Sequence, residues 1–110
     1  MMRKLATEFT TGKRSFLQVF RTKHLGGKSV AVYEINEPQW PSKAYEVVIV
    51  QEHPRKVFMD RVLVEREGYP KPEQWGYDAW SPADEQGVNR CVDRAMAVLD
   101  ARSNPNLCEN

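Results

Sequence analysis

The chain has 110 residues, 41% of them hydrophobic and 28% charged, which is typical of one globular domain with one hydrophobic core. This composition excludes a wholly disordered chain, and no apolar run approaches the roughly 20 residues that a membrane-spanning helix needs. Because no apolar signal-peptide core follows the charged start, we expect a cytoplasmic protein with no membrane partner.

The formal net charge of +1 conceals an uneven distribution. Residues 1–28 carry seven basic side chains and one acidic one, whereas residues 29–110 carry nine basic and fourteen acidic ones. A basic segment favours an anionic partner, such as nucleic acid or an acidic protein surface, because each neutralised phosphate releases counterions. Two alternatives are a solvated basic edge strand and contact between the basic segment of one copy and the acidic body of another.

The first half of the chain predicts strands. Residues 1–13 show no periodicity, and we expect a flexible N-terminal arm there, ahead of a single domain over residues 14–102. A β-hairpin is predicted next. Residues rich in β-branched and aromatic types begin at Ser15, and apolar residues alternate along 30–35. The pair Gly26-Gly27 between them supplies the positive φ of a tight turn.

The next segments extend this sheet. A loop with two prolines precedes residues 44–51, which are apolar on both faces and predict a central strand. A turn at His53-Pro54 leads to a fourth predicted strand over 57–64. Short links of this kind favour antiparallel pairing, since parallel strands need long crossovers.

An irregular aromatic segment, residues 67–80, follows, and we expect Trp75 and Trp80 to fold back over the core rather than to form a contact surface. A helix start is then predicted at Ser81. This residue can cap the helix, Pro82 stands at the first helical position, and Asp84 follows three residues after the cap. Apolar residues at helical spacing continue this amphipathic helix, and residues 103–110 form a polar tail. The stripe consists of Val88, Cys91, Val92, Ala95, Val98 and Leu99.

The predicted fold is therefore α+β: a four-stranded antiparallel meander sheet with one C-terminal amphipathic helix packed on one face. What covers the opposite face stays open at this point. It is solvent, the tryptophan-rich segment or a partner.

Residues that could carry chemistry are few. Cys91 and Cys108 have no zinc-ligand spacing, and Cys91 lies on the apolar stripe, as expected for an inert thiol. His24 and His53 are both assigned to turns, where two histidines could act as acid and base in a metal-free ribonuclease, although we favour ordinary exposed turn residues. We therefore predict no catalytic residue, no metal site and no small-molecule cofactor.

Residues 28–99 resemble small uncharacterised phage and bacterial proteins with a β-meander followed by a capped helix. This resemblance implies the fold but no activity. It rests on Tyr69-Pro70, Trp75-Gly76, Trp80 and the segment from Ser81. The chain is also similar to Trp-Gly-Arg domains, although Tyr77 stands where that motif has its arginine. That similarity implies nucleic-acid binding beside a catalytic partner.

The leading hypothesis is a small non-enzymatic binding module whose basic N-terminal hairpin docks on nucleic acid or a nucleic-acid-associated protein. The alternative is a protein-interaction, inhibitor or self-assembling protein that uses an open sheet face or edge, with a homo-oligomer as one form. A metal-free ribonuclease is third. The expected binding residues are Arg14, Arg21, Lys23, Lys28 and Trp40.

Overall fold

The computed structural model describes residues 4–103, which form nine strands and one α-helix. The strands are β1 (Glu8–Thr11), β2 (Arg14–Lys23), β3 (Ser29–Asn36), β4 (Ala44–Ile49), β5 (Gln51–His53), β6 (Lys56–Phe58), β7 (Arg61–Leu63), β8 (Arg66–Gly68) and β9 (Ala79–Trp80). The helix α1 spans Glu85–Ser103, and a short 3-10 turn lies at Pro72–Gln74.

Five strands form the main sheet in the order β1-β2-β3-β4-β9, and every neighbouring pair is antiparallel. The α+β class, the antiparallel sheet and the single helix packed against it are confirmed. So is the β2–β3 hairpin, although its register pairs Lys23 with Ser29. The connection is therefore a five-residue loop rather than a two-residue turn, with Gly27 at a φ of 103°.

The membership of the sheet differs from the prediction. The expected fourth strand over 57–64 is wrong, because that stretch folds back on itself as the separate β6–β7 ribbon. The reversal uses Met59 at a φ of 55°, a left-handed conformation that a non-glycine residue rarely adopts. The edges of the main sheet are instead β9 and β1, and β1 comes from residues 8–11 of the expected flexible arm.

The helix begins later than its sequence signals indicate. It starts at Glu85, and Asp84 Oδ1 accepts a hydrogen bond from the Gly87 N–H at 2.8 Å, so Asp84 rather than Ser81 caps the first turn. The C-terminal half of α1 buries Ala95 and Leu99 against the sheet. The sheet residues of this core are Val30, Val32, Val47 and Ile49 on β3 and β4. From residue 104 onwards, the predicted polar tail lies outside the described residues.

The opposite face of the sheet carries an aromatic core. Phe9 stacks on Phe16 with ring centroids 4.6 Å apart, and Tyr69 packs edge-on against Tyr33 at 5.3 Å. Trp75 is partly buried against this cluster, which confirms its predicted fold-back, while Trp80 belongs to β9 and packs on the helix side. Chain segments before β2 and after β7 therefore cover the face that the sequence left open.

Candidate functional site

The predicted basic residues of β2 share one face of the sheet because of a β-bulge. The pairing of β2 with β3 shifts between Gln18 and Phe20, so Val19 is an extra residue. Without that shift, Arg14 and Arg21 would point to opposite faces, since side chains alternate along a strand. They nevertheless lie about 20 Å apart, at the rise of about 3.3 Å per strand residue. Lys23 lies beyond Arg21, at the same end of β2.

Arg14 and Trp40 meet at one end of β2. The Arg14 guanidinium carbon lies 4.9 Å from the centroid of the Trp40 ring, and Arg14 Nε lies 4.0 Å from Glu37 Oε1. Trp40 itself is half-buried against the aromatic core. Trp40, which the sequence predicts as a binding residue, is therefore packed within its own chain on one side and covered by a cation on the other.

Arg21 and Lys23 lie at the other end, beside Lys4, in a polar cleft of about 300 Å³. Glu67, whose side chain is only 6% exposed, occupies this cleft. Its Oε2 lies 2.6 Å from Arg21 Nη2 and 3.7 Å from Lys4 Nζ, while its Oε1 accepts the Leu5 N–H at 2.9 Å.

The hydrogen bond from Arg21 is the main cause that lowers the pKa of Glu67, so this carboxyl stays ionised and offsets the cations around it. Exposed Glu52 lines the same cleft. Lys28, the remaining predicted residue, is half-buried in the β2–β3 loop, where its carbonyl accepts the His24 N–H at 2.7 Å. The predicted set is thus split between two places, and its two arginines each face a carboxylate of the same chain.

The two histidines have separate environments. His24 is buried, and its Nδ1 accepts the Gly26 N–H at 3.0 Å, so its Nε2 carries the proton and lies 2.5 Å from Asp100 Oδ1 on α1. His53 ends β5 and packs over Gly68 of β8, so closely that a Cβ there would lie 2.6 Å from His53 Nε2. His24 therefore connects the β2–β3 loop to the helix, and its side-chain hydrogen bonds in the described part of the chain go to Gly26 and Asp100 rather than to His53.

A second surface, which the sequence did not indicate, lies between β2 and α1. A helix is about 10 Å wide with its side chains, while strands lie about 4.8 Å apart, so one helix covers about two strands. Here α1 packs on β3 and β4. The helix-side residues of β2 therefore stay partly uncovered, with Leu17 44% and Val19 and Phe20 each 48% exposed.

This surface is a groove of about 620 Å³, hereafter the β2–α1 groove. Its floor and walls are apolar, and its rim carries carboxylates. The apolar lining residues are Val19, Phe20, Val32, Val88 and Val92, and the acidic ones are Glu34, Glu85 and Asp93. Among the described lining residues there is no lysine or arginine.

The carboxylates of the groove differ in their partners. Lys43 Nζ lies 2.9 Å from Glu34 Oε1, so this acid is compensated within the chain, and the same contact raises the pKa of Lys43. Glu85 accepts a hydrogen bond from a neutral donor, the Tyr45 hydroxyl at 3.2 Å, and interacts with Lys43 only through its charge, without a direct ion pair among the described contacts. The charge that the groove presents to solvent therefore comes mainly from Glu85 and from exposed Asp93.

One feature of the sequence is related to the groove. Val19 and Phe20 are consecutive apolar residues, which breaks strict strand alternation and is what a bulge requires to bring both to one side. Sequence alone leaves open whether such a pair is core or surface, because that depends on where the helix lies across the sheet.

Comparison of the chain with protein-family models, curated proteins and solved structures found no match. The resemblances to small phage proteins and to Trp-Gly-Arg domains stay predictions. Within residues 4–103, no helix is long and apolar enough to cross a bilayer, and no group of three or more potential metal-ligating side chains comes together.

Proposed function

We propose that this chain is a non-enzymatic protein-interaction module whose β2–α1 groove binds an apolar and positively charged segment of another protein chain. The proposal rests on Val19 and Phe20, which are both about half exposed. They line the groove beside the helix together with the acidic residues of its rim. Large apolar side chains left together in a concave site mark interaction surfaces more often than isolated exposed ones do.

The apolar floor supplies the affinity. An aromatic side chain buries about 150–250 Å² when it is fully covered, so covering the exposed half of Phe20 removes about 100 Å² from water. At about 25 cal/mol per Å², this contributes about 2.5 kcal/mol, before the cost of association is subtracted. Val19, which lines the groove and is also 48% exposed, adds to this gain.

The rim supplies the selectivity. Glu85 and Asp93 attract a segment with Lys or Arg beside its apolar residues, and they repel an acidic one. The same rim disfavours nucleic acid in this groove, because phosphates would face the like charges of Glu85 and Asp93.

The test is a titration of the isotope-labelled protein with a short peptide of alternating valine and arginine, followed by amide chemical shifts. We expect shifts that cluster on β2 and the first half of α1, and no binding of the matching valine–glutamate peptide. Phe20→Ser should weaken binding about tenfold or more. Leu25→Ser is the matched control, since Leu25 is a fully exposed apolar residue outside the groove.

A second candidate function is the docking on an anionic surface that the charge distribution predicts. The observation in its favour is the convergence of Lys4, Arg21 and Lys23 on one cleft. Against it stands Glu67, which forms ion pairs with two of these cations. Affinity for single-stranded DNA or RNA should fall steeply with salt, and Lys23→Ala should reduce it; an affinity that salt leaves unchanged contradicts this function.

A further inference from the structure

The β6–β7 ribbon exposes a second apolar surface. Val57, Met59, Val62 and Val64 are between 50 and 85% exposed. Val57 pairs with Val62 across the ribbon, so both side chains lie on the same face. A two-stranded ribbon is marginally stable in water, and one that displays valines gains stability when that face is covered.

This ribbon also carries the charge that the groove lacks. Residues 55–64 hold three basic side chains, Arg55, Lys56 and Arg61, against the single acid Asp60. Arg55 and Arg61 are both exposed. The ribbon therefore combines valines with arginines, which is the chemistry of the segment proposed to bind in the groove.

We propose that the occupant of the β2–α1 groove is the β6–β7 ribbon of a second copy of this chain. The inference rests on the proposed function and names its partner. Val57 and Val62 cover Val19 and Phe20. Arg55, two residues before Val57, approaches the carboxylates of the rim, while Arg61 pairs with Phe58 and adds positive charge from the other face of the ribbon.

Both surfaces are exposed in the single chain, so the ribbon does not fill the groove of its own copy. Two reciprocal contacts related by a twofold axis satisfy both ribbons and both grooves and close the assembly as a dimer. The groove volume of about 620 Å³ suits this occupant, since sites of that size take a few side chains rather than a whole domain.

Charge reversal tests this contact with the full-length chain. Sedimentation velocity over a range of concentrations should show a monomer–dimer equilibrium that weakens about tenfold or more in each of two variants, Arg55→Glu/Arg61→Glu on the ribbon and Glu85→Lys/Asp93→Lys on the rim. Both variants change exposed residues, and circular dichroism checks that each is folded. Leu25→Ser is the control that leaves the equilibrium unchanged.

The decisive arm combines both reversals in one chain. In that quadruple variant the ribbon is acidic and the rim is basic, so dimerisation should return towards the wild-type dissociation constant. A dimer that neither reversal weakens has its interface elsewhere and overturns the inference, as does a quadruple variant without recovery.

The valine–arginine peptide separates this inference from the function on which it rests. A wild-type chain that stays monomeric at every concentration but binds the peptide in its groove overturns the second-copy partner and leaves the interaction module intact. A monomer that also fails to bind the peptide removes both.

Discussion

The substitution Glu67→Ala tests how the N-terminal segment is held on the sheet. Glu67 accepts two hydrogen bonds, from the Leu5 N–H at 2.9 Å and from Arg21 at 2.6 Å, with its side chain 6% exposed. Removal of one partner from a buried charge-assisted pair costs about 3–5 kcal/mol, but the side chain of Arg21 is 23% exposed and regains some water. We therefore expect Glu67→Ala to reduce the free energy of unfolding by about 2–3 kcal/mol at neutral pH.

The pH dependence has a definite sign. Since Arg21 lowers the pKa of Glu67 below its ordinary value of 4.5, the unfolded chain binds this proton more readily than the native one. The stabilisation is fully present above that ordinary value and is lost as the pH falls through the lower, folded-state pKa. Glu67→Gln removes the titrating group, so its unfolding free energy should vary less with pH in this acid window.

Urea denaturation followed by tryptophan fluorescence, repeated across the acid range, measures both effects. Glu52→Gln is the matched control, because Glu52 lines the same cleft but is exposed. A loss below about 0.5 kcal/mol in Glu67→Ala, which is within the ordinary range for surface substitutions, would refute the structural role assigned to this carboxylate.

Three further predictions concern stability. Leu99→Ala, at a side chain 2% exposed under the helix, should cost about 2–4 kcal/mol in thermal denaturation. Burial raises the pKa of Glu46 above its ordinary value of 4.5, so its contribution to stability falls as the pH rises through that raised pKa. Glu46→Gln should abolish this fall in denaturation curves recorded at rising pH. Asp100→Ala should cost about 1 kcal/mol and Asp100→Asn less, because the asparagine Oδ1 still accepts from His24 Nε2; histidine ring nitrogen spectra should report the proton on Nε2 in wild type and in Asp100→Asn.

The elements that could be predicted are those in which apolar residues recur at one regular spacing along the chain. The helix stripe from Val88 to Leu99 and the strand Ala44–Ile49 both follow from spacing alone, since period 3.6 and period 2 each place apolar residues on fixed faces. The Gly26-Gly27 pair located the first hairpin but not its loop length, because the register is decided by pairing along β2 and β3.

The missed elements depend on distant partners. β1 pairs with β2, and its Phe9 stacks on Phe16 of β2. No pattern within residues 1–13 predicts this stacking, because the partner ring lies outside that segment. The β6–β7 reversal at Met59 has no glycine to signal it. Residues 79–80 are too short to read as a strand, yet their pairing with β4 makes them the edge of the sheet.

The candidate site was the least predictable part. The sequence shows that basic residues cluster near its N-terminus, but it does not show which acids lie beside them. In the structure, Glu37 lies beside Arg14 and Glu67 beside Arg21. The groove arises from Val19 and Phe20, whose exposure depends on the width of one helix against five strands.

By itself, the sequence determined the helix, the strands of the first hairpin and the central strand, and which of their faces are apolar, because backbone periodicity and side-chain chemistry are local properties. Only the tertiary structure decided which charges are compensated and which apolar residues stay in contact with water. Those outcomes depend on distances between residues that are remote in the chain, and no local pattern encodes such distances.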